Sequence, residues 1–286
     1  MTAKVAIGIT TYLDLADPAF VEAIFDAYAA VSSKIVPDRI KVMSKKYAVN
    51  SRADFGAHWV TRIPYRVRAN RSRSSALVER GELVVGAEWR RTGANSGQGQ
   101  IYFRPDDDDS RDNKIFIRSK YSSNVRRDKL FELLVALCKP SYAMLHLFGV
   151  VGSAADKARD RVERFDGPIA GEEYFTSWKS SIGEWRKPDK WQLSERRQYK
   201  YLPELAWGNY LGFEFDGQFD RQFVEAAAYS SKPIGRGLLF QTTQALADIQ
   251  KSPTDYCAGR DKLKAAFCPG FFRGPPATSI TPPGQG

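Results

Sequence analysis

The chain has 286 residues, a net charge of +10 and an isoelectric point near 9.4. Apolar residues make up 43% of it and aromatics 13%, enough to bury a core, which excludes bulk disorder. Two histidines and three cysteines argue against zinc clusters, a disulfide framework and His-based nucleophilic catalysis.

This length predicts one large domain or two closely joined ones. No apolar run approaches the roughly 18–20 residues that span a membrane. Met1–Thr10 lacks the long apolar region and cleavage site of a secretory signal, so a cytoplasmic location is expected. A basic surface attracts anions, which leaves an acidic protein, nucleic acid or a membrane surface as partner classes; charge alone does not choose among them.

In chain order, Lys4–Tyr12 reads as a strand rich in Val, Ile and Thr. Asp17-Pro18 then has the form of an N-cap followed by proline at the first helical position. Phe20, Ile24, Ala27, Tyr28 and Val31 keep helical spacing over residues 19–32. Arg39–Val49 returns to a strand pattern, a short helix follows over 51–59, and 60–67 and 81–91 are strands. Thr92–Gly97 is a turn, from which Gln100–Arg104 pairs back as a hairpin. Asp106–Asp112 is a polar loop. Lys114–Lys120 alternates charged and apolar residues as a strand does, and Asn124 starts a helix that ends before Pro140.

The second half repeats this order weakly. It offers an apolar strand at 142–150, helices at 153–165 and 171–185, and a short strand at 192–199. A helix at 219–229, an extended stretch at 238–242 and a helix at 254–267 follow. Consecutive strands favour an α+β fold, a largely antiparallel sheet with flanking helices, over a parallel doubly wound sheet. Two similar α+β halves are one arrangement this allows, although no sequence repeat supports duplication. The expected division is 1–140, 141–272 and a Pro- and Gly-rich flexible tail, 273–286.

The chemistry-bearing stretches are few. Asp106–Asp109 is better read as a solvated loop than as a cation site, because adjacent carboxylates seldom converge on one ion. The glycines of 93–99 lack a following lysine and helix, so they do not form a phosphate loop. The densest basic cluster holds Arg62, Arg66, Arg68, Arg71, Arg73 and Arg80 with interleaved serines. On a strand Arg62, Arg66 and Arg68 share a face, which makes a basic stripe suited to carboxylates or phosphates or simply to solvent. No nucleophile elbow, catalytic carboxylate pair or dinucleotide fingerprint stands out, so neither an enzyme nor a cofactor is expected.

The most distinctive stretch is Pro203-Glu204-Leu205-Ala206-Trp207-Gly208-Asn209-Tyr210-Leu211-Gly212. Gly208 and Gly212 permit positive φ, and Asn209 tolerates it. Trp207 and Tyr210 then serve either as a structural corner that plugs the core or as anchors of a recognition loop.

With Gly237-Leu238-Leu239-Phe240-Gln241-Thr242-Thr243, this stretch resembles the immunity protein 52 family and related immunity proteins of type VI secretion effectors. The resemblance covers about the last third of the chain and rests on two short motifs. It implies a cognate toxin as partner, often a nuclease with a restriction-endonuclease-like domain, in place of a membrane or nucleic acid. On that reading Arg66, Arg68, Arg71 and Arg73 steer or pair, while Trp207, Asn209 and Tyr210 anchor. A nucleic-acid-binding protein, or an enzyme acting on nucleic acid, is the alternative, although no helix-turn-helix, zinc finger or RNA-recognition signature is present.

Overall fold

A computed structural model describes residues 4–68, 77–103, 113–148, 202 and 204–272. In chain order its strands are β1 (Lys4–Thr11), β2 (Arg39–Val42), β3 (Lys45–Ala48), β4 (Val60–Arg68), β5 (Leu77–Gly86), β6 (Glu88–Arg91), β7 (Gly97–Tyr102), β8 (Asn113–Lys120), β9 (Tyr142–Phe148), β10 (Gly208–Leu211), β11 (Ser230–Ile234) and β12 (Gly237–Gln241). The α-helices are α1 (Pro18–Val31), α2 (Arg52–Ala57), α3 (Arg127–Cys138), α4 (Arg221–Ala227), α5 (Asp248–Lys251) and α6 (Pro253–Lys264). The fold is α+β. Ten strands form one antiparallel sheet in the order β11-β12-β10-β9-β1-β8-β7-β6-β2-β3, and β4 and β5 form a separate hairpin.

β1 lies inside this sheet, between β8 and β9. Its alternate residues feed two cores. Val5, Ile7 and Ile9 face α1 and α3, together with Trp89, Ile117 and Leu145. Ala6 faces the other way, into a second core with Met144, Leu211 and Phe240. Val224 of α4 and Leu263 of α6 cover that second core. The sheet runs through both halves of the sequence, since β9 pairs with β1 from Lys4↔Phe148 to Thr10↔Tyr142.

Local chemistry sets the helix starts. The Asp17 carboxylate accepts from the Ala19 N–H at 2.9 Å, and Pro18 opens α1. Ser51 and Asp54 cap α2 reciprocally. No helix among the described residues is long and apolar enough to cross a membrane.

Several elements depart from the sequence pattern. Arg39–Val49 is the hairpin β2–β3, turned at Met43 with φ 54°. Residues 81–91 are split between β5 and β6, which belong to different sheets. The split falls at Gly86, where a Cβ would stand 2.4 Å from Ile101 Cγ2. Asn124 does not cap α3; its N-cap is Arg126, with no side-chain cap bond. Residues 230–241, of which the sequence pattern marks only 238–242 as extended, form a hairpin in which β11 turns into β12 at Gly235 with φ 58°. The helices expected at 153–165 and 171–185, the strand at 192–199, the Asp106–Asp112 loop and the 273–286 tail lie outside the described residues.

Gly99 sits under the buried Trp89 indole, where a Cβ would come within 2.0 Å of the ring. Gly99→Ala is expected to lower the free energy of unfolding in urea by about 2–3 kcal/mol. Gly56→Ala, in α2 with nothing within 4 Å of the added carbon, is expected to be neutral or to stabilise by up to about 1 kcal/mol. Equal effects at the two sites would contradict the packing assigned to Trp89.

Candidate functional site

The strand register assembles a basic face from residues far apart in sequence. On the surface of the sheet turned away from α1 and α3, Arg39 of β2 lies opposite Arg90 of β6 and Arg90 opposite Gln98 of β7. Gln98 in turn lies opposite Arg118 of β8, and at the end of β8 Lys120 lies opposite Lys4 of β1. Directly opposed residues of an antiparallel pair share a face, so Arg39, Arg90, Gln98 and Arg118 make one row, and Lys120 with Lys4 stands beside it on the same face, two residues along β8 and β1. The next row is milder: Lys41 lies opposite Glu88, with Nζ and Oε2 3.4 Å apart, followed by Gln100 and Phe116.

Lys4, Arg90, Arg91, Arg118 and Lys120 line a shallow cleft of about 510 Å³ across β6, β7 and β8. Thr92, Ser96, Gln98 and Ser119 supply neutral hydrogen-bonding groups, and no carboxylate lines the cleft among the described residues. Partial burial pulls Arg118 below the usual arginine value, a cost of carrying cationic charge in this wall. The cleft presents a dense cationic surface suited to carboxylates or phosphates.

The residues named from sequence fall elsewhere. Arg62, Arg66 and Arg68 do lie on a strand, β4, opposite Val84, Glu79 and Leu77 of β5. Arg71 and Arg73 lie outside the described residues. Trp207, Asn209 and Tyr210 are buried at 2%, 0% and 4% relative exposure. In this conformation their side chains form a structural corner and offer no surface to a partner.

That corner joins the two motifs of the last third. β10 pairs with β12, from Gly208↔Gln241 to Leu211↔Leu238. The Trp207 indole N–H donates to Thr243 Oγ1 at 3.0 Å, and the Thr242 N–H donates to the Trp207 carbonyl at 2.9 Å. The Asn209 amide closes a loop with Ala206, accepting from its N–H at 2.9 Å and donating to its carbonyl at 2.8 Å. The Tyr210 hydroxyl donates to the Ile234 carbonyl at 3.0 Å. Neither Gly208 nor Gly212 has positive φ; both serve close approach instead. A Cβ on Gly212 would lie 2.9 Å from the Pro140 and Ser141 carbonyl oxygens, and one on Gly208 would press on Phe131 and Leu145.

A buried polar cluster backs the corner. Glu204 accepts from Lys264 Nζ at 2.9 Å and from the Leu205 N–H at 2.9 Å. His146 Nδ1 accepts from the Trp207 N–H at 3.2 Å, and Tyr256 donates to the Leu205 carbonyl at 3.4 Å. Burial raises the Glu204 pKa, and Arg260 and Lys264 restrain the rise. Burial, aided by the positive charge of Arg260, pushes His146 down to about 3, so it is neutral at neutral pH. The bonds from Lys264, Tyr256 and His146 tie α6 and β9 to the corner, which makes the cluster a pin for the second core.

No family model matches the chain, and no curated protein matches it. Among solved structures, the chain is similar to the Pseudomonas aeruginosa T6SS protein PA0821 at 10% identity and a TM-score of 0.43, over 92% of this chain and 73% of that one. A likeness of this degree assigns neither family nor function.

The cationic row was missed in the sequence because its members come from five strands. The one available signal was the alternation in Lys114–Lys120, which puts Arg118 and Lys120 on the same face.

The folded His146 pKa of about 3 lies below the ordinary histidine value of 6.5, so unfolding takes up a proton between those values. Its contribution is complete above pH 6.5 and is lost progressively as the pH falls towards 3. Glu204, raised in the folded state, acts in the opposite sense, so the isolating comparison is with His146→Gln. From pH 7 to pH 5 the wild type is expected to lose about 2 kcal/mol more stability than that variant, measured by urea denaturation. Parallel pH profiles would show that His146 is not held neutral.

Proposed function

We propose that this chain is an immunity protein that binds and neutralises a cognate antibacterial toxin, delivered by type VI secretion, through a tight protein–protein complex in the cytoplasm. It acts as a binder and performs no catalysis. The sequence resemblance of the Trp207 and Leu238 motifs supplies the class of protein. The observation that carries the reading is the cationic row over β2, β6, β7, β8 and β1, with its cleft lined by Lys4, Arg90, Arg91, Arg118 and Lys120.

The row sets Arg39 beside Arg90 and Lys120 beside Lys4 across adjacent strands. Like charges directly opposite one another are destabilising, by a few tenths of a kcal/mol to about 1 kcal/mol per pair. An acidic partner relieves that repulsion on binding and is drawn in by the field beforehand. A restriction-endonuclease-like toxin clusters carboxylates around its metal ion, and such a cluster has the complementary sign. Arg66 and Arg68 of β4, candidates from the sequence, are assigned to the same partner.

The test is co-expression with the toxin encoded beside this chain, scored by survival and co-purification. Rescue with a stoichiometric complex is the expected result. Failure of both, together with binding to random DNA that weakens steeply with salt, would replace this reading with a nucleic-acid-binding one.

Within the complex, Arg90→Glu with Lys120→Glu is expected to slow toxin association about 10-fold or more at low salt while leaving the melting temperature nearly unchanged. Arg66→Glu with Arg68→Glu is expected to weaken capture in the same way. Unchanged affinity in a folded variant removes that pair of residues from the interface.

A further inference from the structure

At one end of the basic cleft the sheet closes over a small pocket between α1, the start of α3, and β6, β7 and β8. Tyr28, Trp89, Arg91, Asn95, Ser119 and Arg127 contribute to its wall. It shares Arg91, Gly97, Gln98 and Ser119 with the cleft, so the two adjoin along these residues. The pocket's enclosed part is only large enough for one water-sized group.

Arg127 is the unusual member. Its side chain is 4% exposed, and its Nε and Nη2 atoms are buried with no hydrogen-bond partner. A buried guanidinium without a partner is strongly destabilising. Its position adds to the cost. Arg127 opens α3, whose N-cap Arg126 makes no side-chain cap bond, and the positive end of a helix dipole disfavours a cation. Asp128, in the same turn, is held by Arg126 at 2.6 Å. Nearby, the Tyr28 hydroxyl accepts from Trp89 Nε1 at 3.1 Å and keeps its own proton to donate. Donors therefore dominate the pocket: guanidinium N–H groups, a phenol O–H and the uncapped start of a twelve-residue helix.

We propose that this pocket captures one carboxylate of an acidic side chain, Asp or Glu, on the protein partner that docks on the cationic row. One carboxylate oxygen enters the enclosed part beside the Arg127 guanidinium, while the rest of the partner's acidic segment lies along Arg91, Arg90 and Arg118. The small enclosed volume favours a planar two-oxygen group over a tetrahedral phosphate. Only the source of the carboxylate rests on the immunity reading; the pocket's chemistry is tested separately below.

The experiment is an NMR titration of the full chain, following the Arg127 Nε–Hε signal. The probes are a hexaglutamate peptide, sodium acetate, inorganic phosphate and sodium chloride at matched ionic strength. The peptide and acetate are expected to shift the signal saturably, with the peptide binding about 30-fold or more tightly because the cleft adds further charge contacts. Arg127→Met, which lacks that signal and is followed by calorimetry with the hexaglutamate peptide, is expected to bind the peptide about 10-fold or more weakly while its melting temperature stays equal or rises, since an uncompensated buried charge is removed. Should that variant fail to fold, Asn95→Asp, which puts a negative charge on the rim, is expected to weaken peptide binding about 10-fold or more. A signal indifferent to both carboxylates, a stronger response to phosphate or chloride, or unchanged peptide binding in Asn95→Asp would each overturn the proposal. Acetate binding as tight as that of the peptide would overturn the protein origin of the carboxylate. A normal acetate response in a chain that fails to rescue cells from the toxin would count against the immunity reading and leave the pocket standing.

Discussion

The strand that everything else depends on is β1, buried on both faces. A strand with one wet face needs a single layer of helices, but β1 requires two. Val5, Ile7 and Ile9 demand the layer made by α1 and α3, and Ala6 demands the layer built on α4 and α6. That requirement explains why the C-terminal third folds back over the sheet, and why the Trp207 corner must form where the chain enters β10. It also explains where the second layer ends. Beyond β8 the outward residues turn from Ala6 and Phe116 to Gln98, Arg90 and Arg39, and the sheet face becomes polar and cationic.

The sequence made some of this legible and hid the rest for identifiable reasons. β1, α1 and β9 are long, strongly patterned segments, and their extents follow the apolar spacing closely. The Asp17-Pro18 start of α1 was readable because capping is local. The division of 81–91 between two sheets was not, because it depends on Gly86 meeting Ile101, a contact that no local pattern encodes. The two glycines flanking the corner were visible as special residues, but the reason differed. Backbone and ring approach, not positive φ, excludes a side chain there. The cationic row was the least legible feature, since it exists only once the register places Arg39, Arg90, Arg118 and Lys120 side by side.

Two polar assemblies in this molecule contrast in a useful way. In the cluster of Glu204, Lys264, His146 and Tyr256 the Glu204, His146 and Tyr256 side chains are deeply buried and bond to backbone or to Lys264. Perturbed pKa values there follow from burial in a structural pin, which is why perturbation alone is weak grounds for chemistry. The second assembly, around Arg127 and the cleft, has donors in excess and an opening. Burial combined with unmet hydrogen-bonding capacity, more than burial alone, separates a site from a scaffold.

The two ends of the ten-stranded sheet carry a consequence for association. β11, at one edge among the described strands, contains Pro233, which has no N–H to offer a further strand. β3, at the other edge, is short and carries Lys45 and Lys46 side by side. Both are devices that discourage a second chain from adding to an open ladder and growing into aggregates. Such blunted margins leave the broad faces of the sheet as the surfaces open to other molecules, and they oppose polymerisation along its hydrogen-bonding direction.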